Sequence, residues 1–144
     1  MAQEKSTVLG TVSVVATVEN LRRVTTFLQE CCHKSRLSER EQHDLLLAVE
    51  EAYVNVATYA YSTAGGMVRV RCTATAAGGL LVEIEDDGQP FNPLEHTEPE
   101  LDKDVHSRKI GGLGIFLIRK LVDTVEYERQ GTTNKLLLLK RNTS

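Results

Sequence analysis

The chain has 144 residues, 41% hydrophobic and 26% charged, with 17 Lys and Arg against 20 Asp and Glu for a formal net charge of -3. That length fits one domain, read as residues 1–144, with a single core, and slight acidity without a Lys/Arg block argues against a nucleic-acid binder. The longest apolar runs, Leu45 to Val49 and Leu136 to Leu139, fall far short of the about 20 residues a membrane helix needs. The opening Met-Ala-Gln-Glu-Lys-Ser leads into no apolar stretch, so no secretory signal is expected and a cytoplasmic setting is. The three cysteines, Cys31, Cys32 and Cys72, form neither a disulfide framework nor a CxxC metal pair, and buried reduced thiols are expected. The four histidines show no HxH or HxxxH spacing, so no transition-metal site is expected.

Alternation of Val12, Val14, Ala16 and Val18 predicts a half-buried first strand. Asn20 is placed to cap a helix whose apolar positions are Leu21, Val24, Leu28, Cys31 and Cys32. Ser38 and Glu41 form a capping box, opening a helix that runs to about Ala60 and buries Leu45, Ala48, Val49, Ala52 and Val56. A strand is predicted over Met67 to Ala76, and Gly78-Gly79 turns it back into Leu80 to Asp86. From Asp87 to Gly114 the chain holds all three prolines, many charges and little periodicity, and a loop this long in a compact domain is functional or disordered. A short helix over Ile115 to Val122 and two strands, about Thr124 to Arg129 and Lys135 to Lys140 around Gly131, complete the order. Hairpins without strict strand–helix alternation predict an α+β two-layer sandwich, helices on one face of a mostly antiparallel sheet.

Three clusters carry candidate chemistry. Glu51 and Asn55 lie four apart and share a helix face; an Asn oxygen suits Mg²⁺, and a nearby carboxylate can take a proton. Alone, the pair reads as a solvated polar face of an amphipathic helix, because Glu-x-x-x-Asn is a very common spacing. In Asp86-Asp87-Gly88-Gln89-Pro90-Phe91, a strand-end carboxylate can accept a hydrogen bond from an exocyclic amine and Gly88 permits close backbone approach, although a simple turn uses the same residue types. Gly111-Gly112-Leu113-Gly114 opens a helix, where successive N–H groups suit phosphate; a lone glycine run is weak evidence, and the Walker and dinucleotide patterns are absent.

In this order the clusters resemble the ATP-binding domain shared by gyrase, Hsp90-type chaperones, histidine kinases and MutL. Glu51-Ala-Tyr-Val-Asn55 is similar to its first box, Asp86-x-Gly88 to its second and Gly112-x-Gly114 to its third. The runs Ala48-Val49-Glu50-Glu51-Ala52, Asp86-x-Gly88-x-Pro90-Phe91 and Gly112-Leu113-Gly114-Ile115-Phe116-Leu117-Ile118, with Gly131-Thr132-Thr133, most resemble the bacterial anti-sigma factor serine/threonine kinases. The likeness spans about Gln42 to Arg141.

That resemblance implies a Bergerat-type ATP-binding fold and, as cofactors, ATP and Mg²⁺. It implies that Glu51 is the general base, that Asn55 holds the metal, and that Asp86 reads the adenine amine, helped through water by Thr133. Gly88 would let the base lie close. Gly112, Leu113 and Gly114 would wrap the phosphates under a lid over Asn92 to Gly111, with Arg108 and Lys109 neutralising charge. The chain departs from the pattern at Tyr59, where related kinases often carry His and where an aromatic is expected to pack, and over His106 to Ile110. The implied activity is ATP-dependent phosphorylation of Ser or Thr on an antagonist protein, with a sigma factor and a second copy of the chain as further partners and neither nucleic acid nor membrane. The alternative is an ATP-binding module that switches partners with little chemistry. The catalytic half of a histidine kinase ranks third, because Pro90-Phe91 fits the anti-sigma kinases better.

Overall fold

A computed structural model of the chain describes residues 6–61, 63, 65–95 and 114–143. Its elements, in order, are β1 (Thr7–Val15), a 3-10 turn (Val18–Asn20), α1 (Leu21–His33), α2 (Glu39–Tyr59), β2 (Met67–Ala74), β3 (Leu80–Asp86), a 3-10 turn (Pro93–Glu95), α3 (Gly114–Leu121), β4 (Thr124–Gln130) and β5 (Thr133–Lys140). The five strands form one sheet in the order β1-β2-β3-β5-β4, and every neighbouring pair is antiparallel. The expected α+β architecture is therefore the one found.

Period-two alternation separates the two faces of this sheet. Val14, Val68, Val70, Val82, Ile84, Leu136 and Leu138 are buried in one cluster with Val24 and Leu28 of α1, Leu45, Val49 and Tyr53 of α2, and Ile118 of α3. The opposite face carries cross-strand ion pairs set by register: Arg69 to Glu85 at 3.4 Å, Lys135 to Glu85 at 3.3 Å and Lys135 to Glu83 at 3.7 Å. Individually such pairs stabilise little; together they keep one face polar and leave the other to the helices. All three cysteines are free and buried on the apolar side.

α2 is the longest helix, and its two ends are fastened differently. At its start Ser38 Oγ accepts from Glu41 N at 3.1 Å and Glu41 Oε1 accepts from Ser38 N at 2.9 Å, the reciprocal capping box. The other carboxylate oxygen of Glu41 accepts from the backbone N–H and hydroxyl of Thr143. Hydrogen bonds from Thr143 and Ser38 outweigh burial and hold the Glu41 carboxyl down at about 2. Mid-helix, the buried Tyr53 reaches the end of β1, its hydroxyl donating to Thr17 O at 2.6 Å.

Three boundary expectations are corrected. Val18 lies in the 3-10 turn and is 56% exposed rather than continuing the strand, because Val15 O turns back to accept from Thr17 N and from the Asn20 amide. Asn20 accordingly does not cap α1 with its side chain; the 3-10 turn runs straight into the helix, and Asn20 has φ -84 and ψ 1 rather than the extended backbone a side-chain cap needs. β2 stops at Ala74, two residues early, where Thr75 Oγ1 accepts from Gly79 N at 2.9 Å and Gly78 adopts φ +97.

Candidate active site

The site lies where the C-terminal half of α2 meets the end of β3. The first glutamine after β3 joins them: Gln89 N donates to Ala60 O at 2.8 Å and its side chain donates to Tyr59 O at 2.9 Å. Tyr59 stacks on Phe91 with ring centroids 5.2 Å apart, the packing role expected for an aromatic there. Gly88 completes the joint. A Cβ on it would lie 2.0 Å from Ala60 O, so the close approach that demands glycine here is made by the end of α2.

From α2 come Glu51 and Asn55, one turn apart. Asn55 is 3% exposed, and among the described residues nothing hydrogen-bonds its amide. A buried, unpaired amide costs about 1–3 kcal/mol, and in a native fold it asks for a partner from outside. Its oxygen is of the class that binds hard cations, so the residue fits Mg²⁺. Glu51 is half-buried, and burial first, then the charge of Glu50, raises its pKa above the ordinary 4.5. A carboxylate so raised is a stronger base.

From β3 comes Asp86, also 3% exposed. Its Oδ1 accepts from Gly88 N at 2.9 Å and from Asn134 Nδ2 at 2.9 Å. No described residue donates to Oδ2, which remains an acceptor for a ligand. Burial pushes the Asp86 carboxyl up, against the hydrogen bonds from Asn134 and Gly88. Asp87 next to it is engaged differently: Arg69 and Thr133 donate to it, Thr133 Oγ1 at 2.8 Å, and these bonds hold its carboxyl down. Asp87 N in turn donates to Tyr61 Oη at 2.9 Å.

The structure thus joins Gly88, just after Asp86, to the end of α2, the helix that carries Glu51 and Asn55 further back along its length, and it sets the Thr133 hydroxyl on Asp87, while Asn134 on the other face of β5 meets Asp86. Gly114 opens α3, as expected, and Ile115 and Ile118 bury that helix. Arg108, Lys109, Gly112 and Leu113 lie outside the described residues, as does most of the expected lid. Sequence reasoning missed Asn134 of β5, which bonds to Asp86, and Arg129 and Tyr127 of β4, which bond to Asn134. The available signal was one polar residue, Asn134, in inward phase with Leu136 and Leu138.

Comparison with known proteins fits this geometry. The chain is 26% identical over 113 residues to the serine/threonine-protein kinase BtrW of Bordetella bronchiseptica, covering 78% of this chain and 79% of that protein. The RsbU and RsbW domains of a Mycobacterium tuberculosis protein superpose with a TM-score of 0.63 at 17% identity, over 92% of this chain and 32% of that one. The histidine kinase domain of a blue-light activated histidine kinase from Erythrobacter litoralis gives 0.54 at 17% identity, over 89% of this chain and 61% of the other. At these identities the two structures speak to the fold alone, and the chain spans only part of each. Residues 14–140 match the histidine kinase-like ATPase domain, from within β1 to the end of β5, and the chain belongs to that family.

Proposed function

We propose that this chain is a cytoplasmic ATP-dependent protein kinase that phosphorylates Ser or Thr on an antagonist protein in a partner-switching circuit. The observation that carries the reading is Asn55, buried and without a hydrogen-bonding partner among the described residues, one turn from the raised carboxyl of Glu51. The likeness to a relative named a serine/threonine-protein kinase supports a protein substrate.

In this reading Asn55 holds Mg²⁺, which supplies charge neutralisation for the triphosphate. Asp86 accepts from the adenine amine through Oδ2, with Thr133 assisting through water. Gly112, Leu113 and Gly114 wrap the phosphates, and Arg108 and Lys109 bear on their charge. The substrate hydroxyl oxygen bonds to the γ-phosphorus as the bond to the β,γ-bridging oxygen breaks. Its proton passes to Glu51, and ADP leaves. A sigma factor is a second partner, and two copies pair through β1 and α1.

Glu51→Ala is the test. Transfer to an antagonist protein should fall at least about a hundredfold, the usual worth of a positioned base, while calorimetry shows ATP affinity nearly unchanged. Transfer at the wild-type rate would overturn the base assignment. A wild-type chain that binds Mg-ATP and phosphorylates no partner would instead be the switching module.

A further inference from the structure

Asn134 is the most heavily used polar side chain around the site. It sits on β5 directly opposite Asp86 in the β3–β5 register and is 4% exposed. Its Nδ2 donates to Asp86 Oδ1 at 2.9 Å and to Gln89 O at 2.8 Å. Its Oδ1 accepts from the Tyr127 hydroxyl, from Arg129 Nη1 at 3.1 Å and, at 3.4 Å, from Phe91 N. Three donors converge on one end of the amide and two acceptors on the other, so its orientation is fixed. Arg129 also donates to Gly88 O at 2.8 Å and to Gly131 O at 3.0 Å, binding the loop after β3 to the same hub.

We propose that Asn134 is a positioning residue for base selectivity: it occupies Asp86 Oδ1, leaving Oδ2 as a fixed acceptor that selects purines bearing a 6-amino group over those bearing a 6-oxo group. The inference rests on the ATP-binding reading. An unheld carboxyl rotates freely, and once protonated it can present a donor to a 6-oxo group as easily as an acceptor to a 6-amino group. Asn134 opposes both. Its donated bond favours the ionised carboxylate, against burial and the neighbouring charge of Asp87 and together with Arg129 from β4. Among the described residues, Tyr61 and Tyr127 are the other titratable groups close by; Tyr61 senses the charge of Asp86, and Tyr127 bonds to Asn134 itself.

The test compares ATP with ITP, which carries a 6-oxo group, by calorimetry between pH 5 and 8, with Tm followed throughout. Wild type should favour ATP by at least about tenfold, as expected of a site built to bond an amino group. Asn134→Leu should weaken ATP by about tenfold and ITP by less than about twofold, collapsing the ratio. Asn134→Asp, nearly isosteric, replaces the donor by an acceptor and serves where the leucine variant does not fold. Its Asp86 carboxyl should rise, so ATP binding should be lost on acidification at a pH about one unit higher than in wild type. A packing role alone would move Tm and leave both the ratio and that midpoint in place. A wild type that discriminates, beside variants with an unchanged ratio and midpoint, would overturn the role of Asn134. A wild type that binds neither nucleotide would overturn the ATP-binding reading itself.

Discussion

At the end of β3, Asp86 takes hydrogen bonds from Gly88 and Asn134, and Asn134 is itself held by Tyr127 and Arg129. On α2, Asn55 is as deeply buried, yet no described residue bonds its amide. The two regions treat a buried polar side chain in opposite ways. On the proposed reading, the carboxyl that recognises a base must point one way before the base arrives, and the fold supplies its partners. On the same reading, the amide that takes a cation must keep its oxygen available, and the fold bears the cost of leaving it without a partner among the described residues.

The sharpest way to break this contrast is Asn55→Leu, which fills similar space without a polar group. Phosphoryl transfer should fall by more than about a hundredfold, while the protein without nucleotide gains roughly 1 kcal/mol as an unpaired buried amide is removed. Initial rates and thermal melts check the two halves, and a loss of stability would mean that Asn55 does have structural partners. Arg129→Met addresses the other region. It removes the donors to Gly88 O and Gly131 O and one of those on Asn134, and should cost about 1–3 kcal/mol in urea unfolding with an unchanged m-value. A neutral result would make the wired region as optional as the unwired one is meant to be. The smallest effect belongs to a remote control, Glu41→Ala, at about 1 kcal/mol near neutral pH for loss of a capping residue. The Glu41 carboxyl lies at about 2 in the fold against an ordinary 4.5, so its stabilisation is complete above the ordinary value and is lost as pH falls toward the lower one. The wild-type advantage should therefore shrink on acidification; one that persisted at pH 2 would not come from the ionised carboxylate.

What could be read beforehand follows from the range of the forces involved. Ser38 and Glu41 announce the start of α2, and alternation announces β2 and β3, because caps and pleats are local. Asn20 carries the right chemistry for a cap and is used elsewhere, because Val15 O, five residues away, claims its amide. The first strand begins at Thr7, earlier than alternation suggests, since a register shift between Val8 and Gly10 breaks the pattern. The three boxes are legible as words. Their wiring is not: Thr133 meets Asp87 and Asn134 meets Asp86, 46 and 48 positions apart along the chain, only through pairing of β3 with β5.

Gly88 carries a consequence for anyone reading mutational tolerance in this chain. Its missing side chain makes room for the carbonyl of Ala60, at 2.0 Å from where a Cβ would stand. Substitutions there will lower cellular abundance in screens that never supply nucleotide. Intolerance at Gly88 is therefore expected from the way two secondary-structure elements are joined, so depleted variants at that position do not by themselves identify a binding residue.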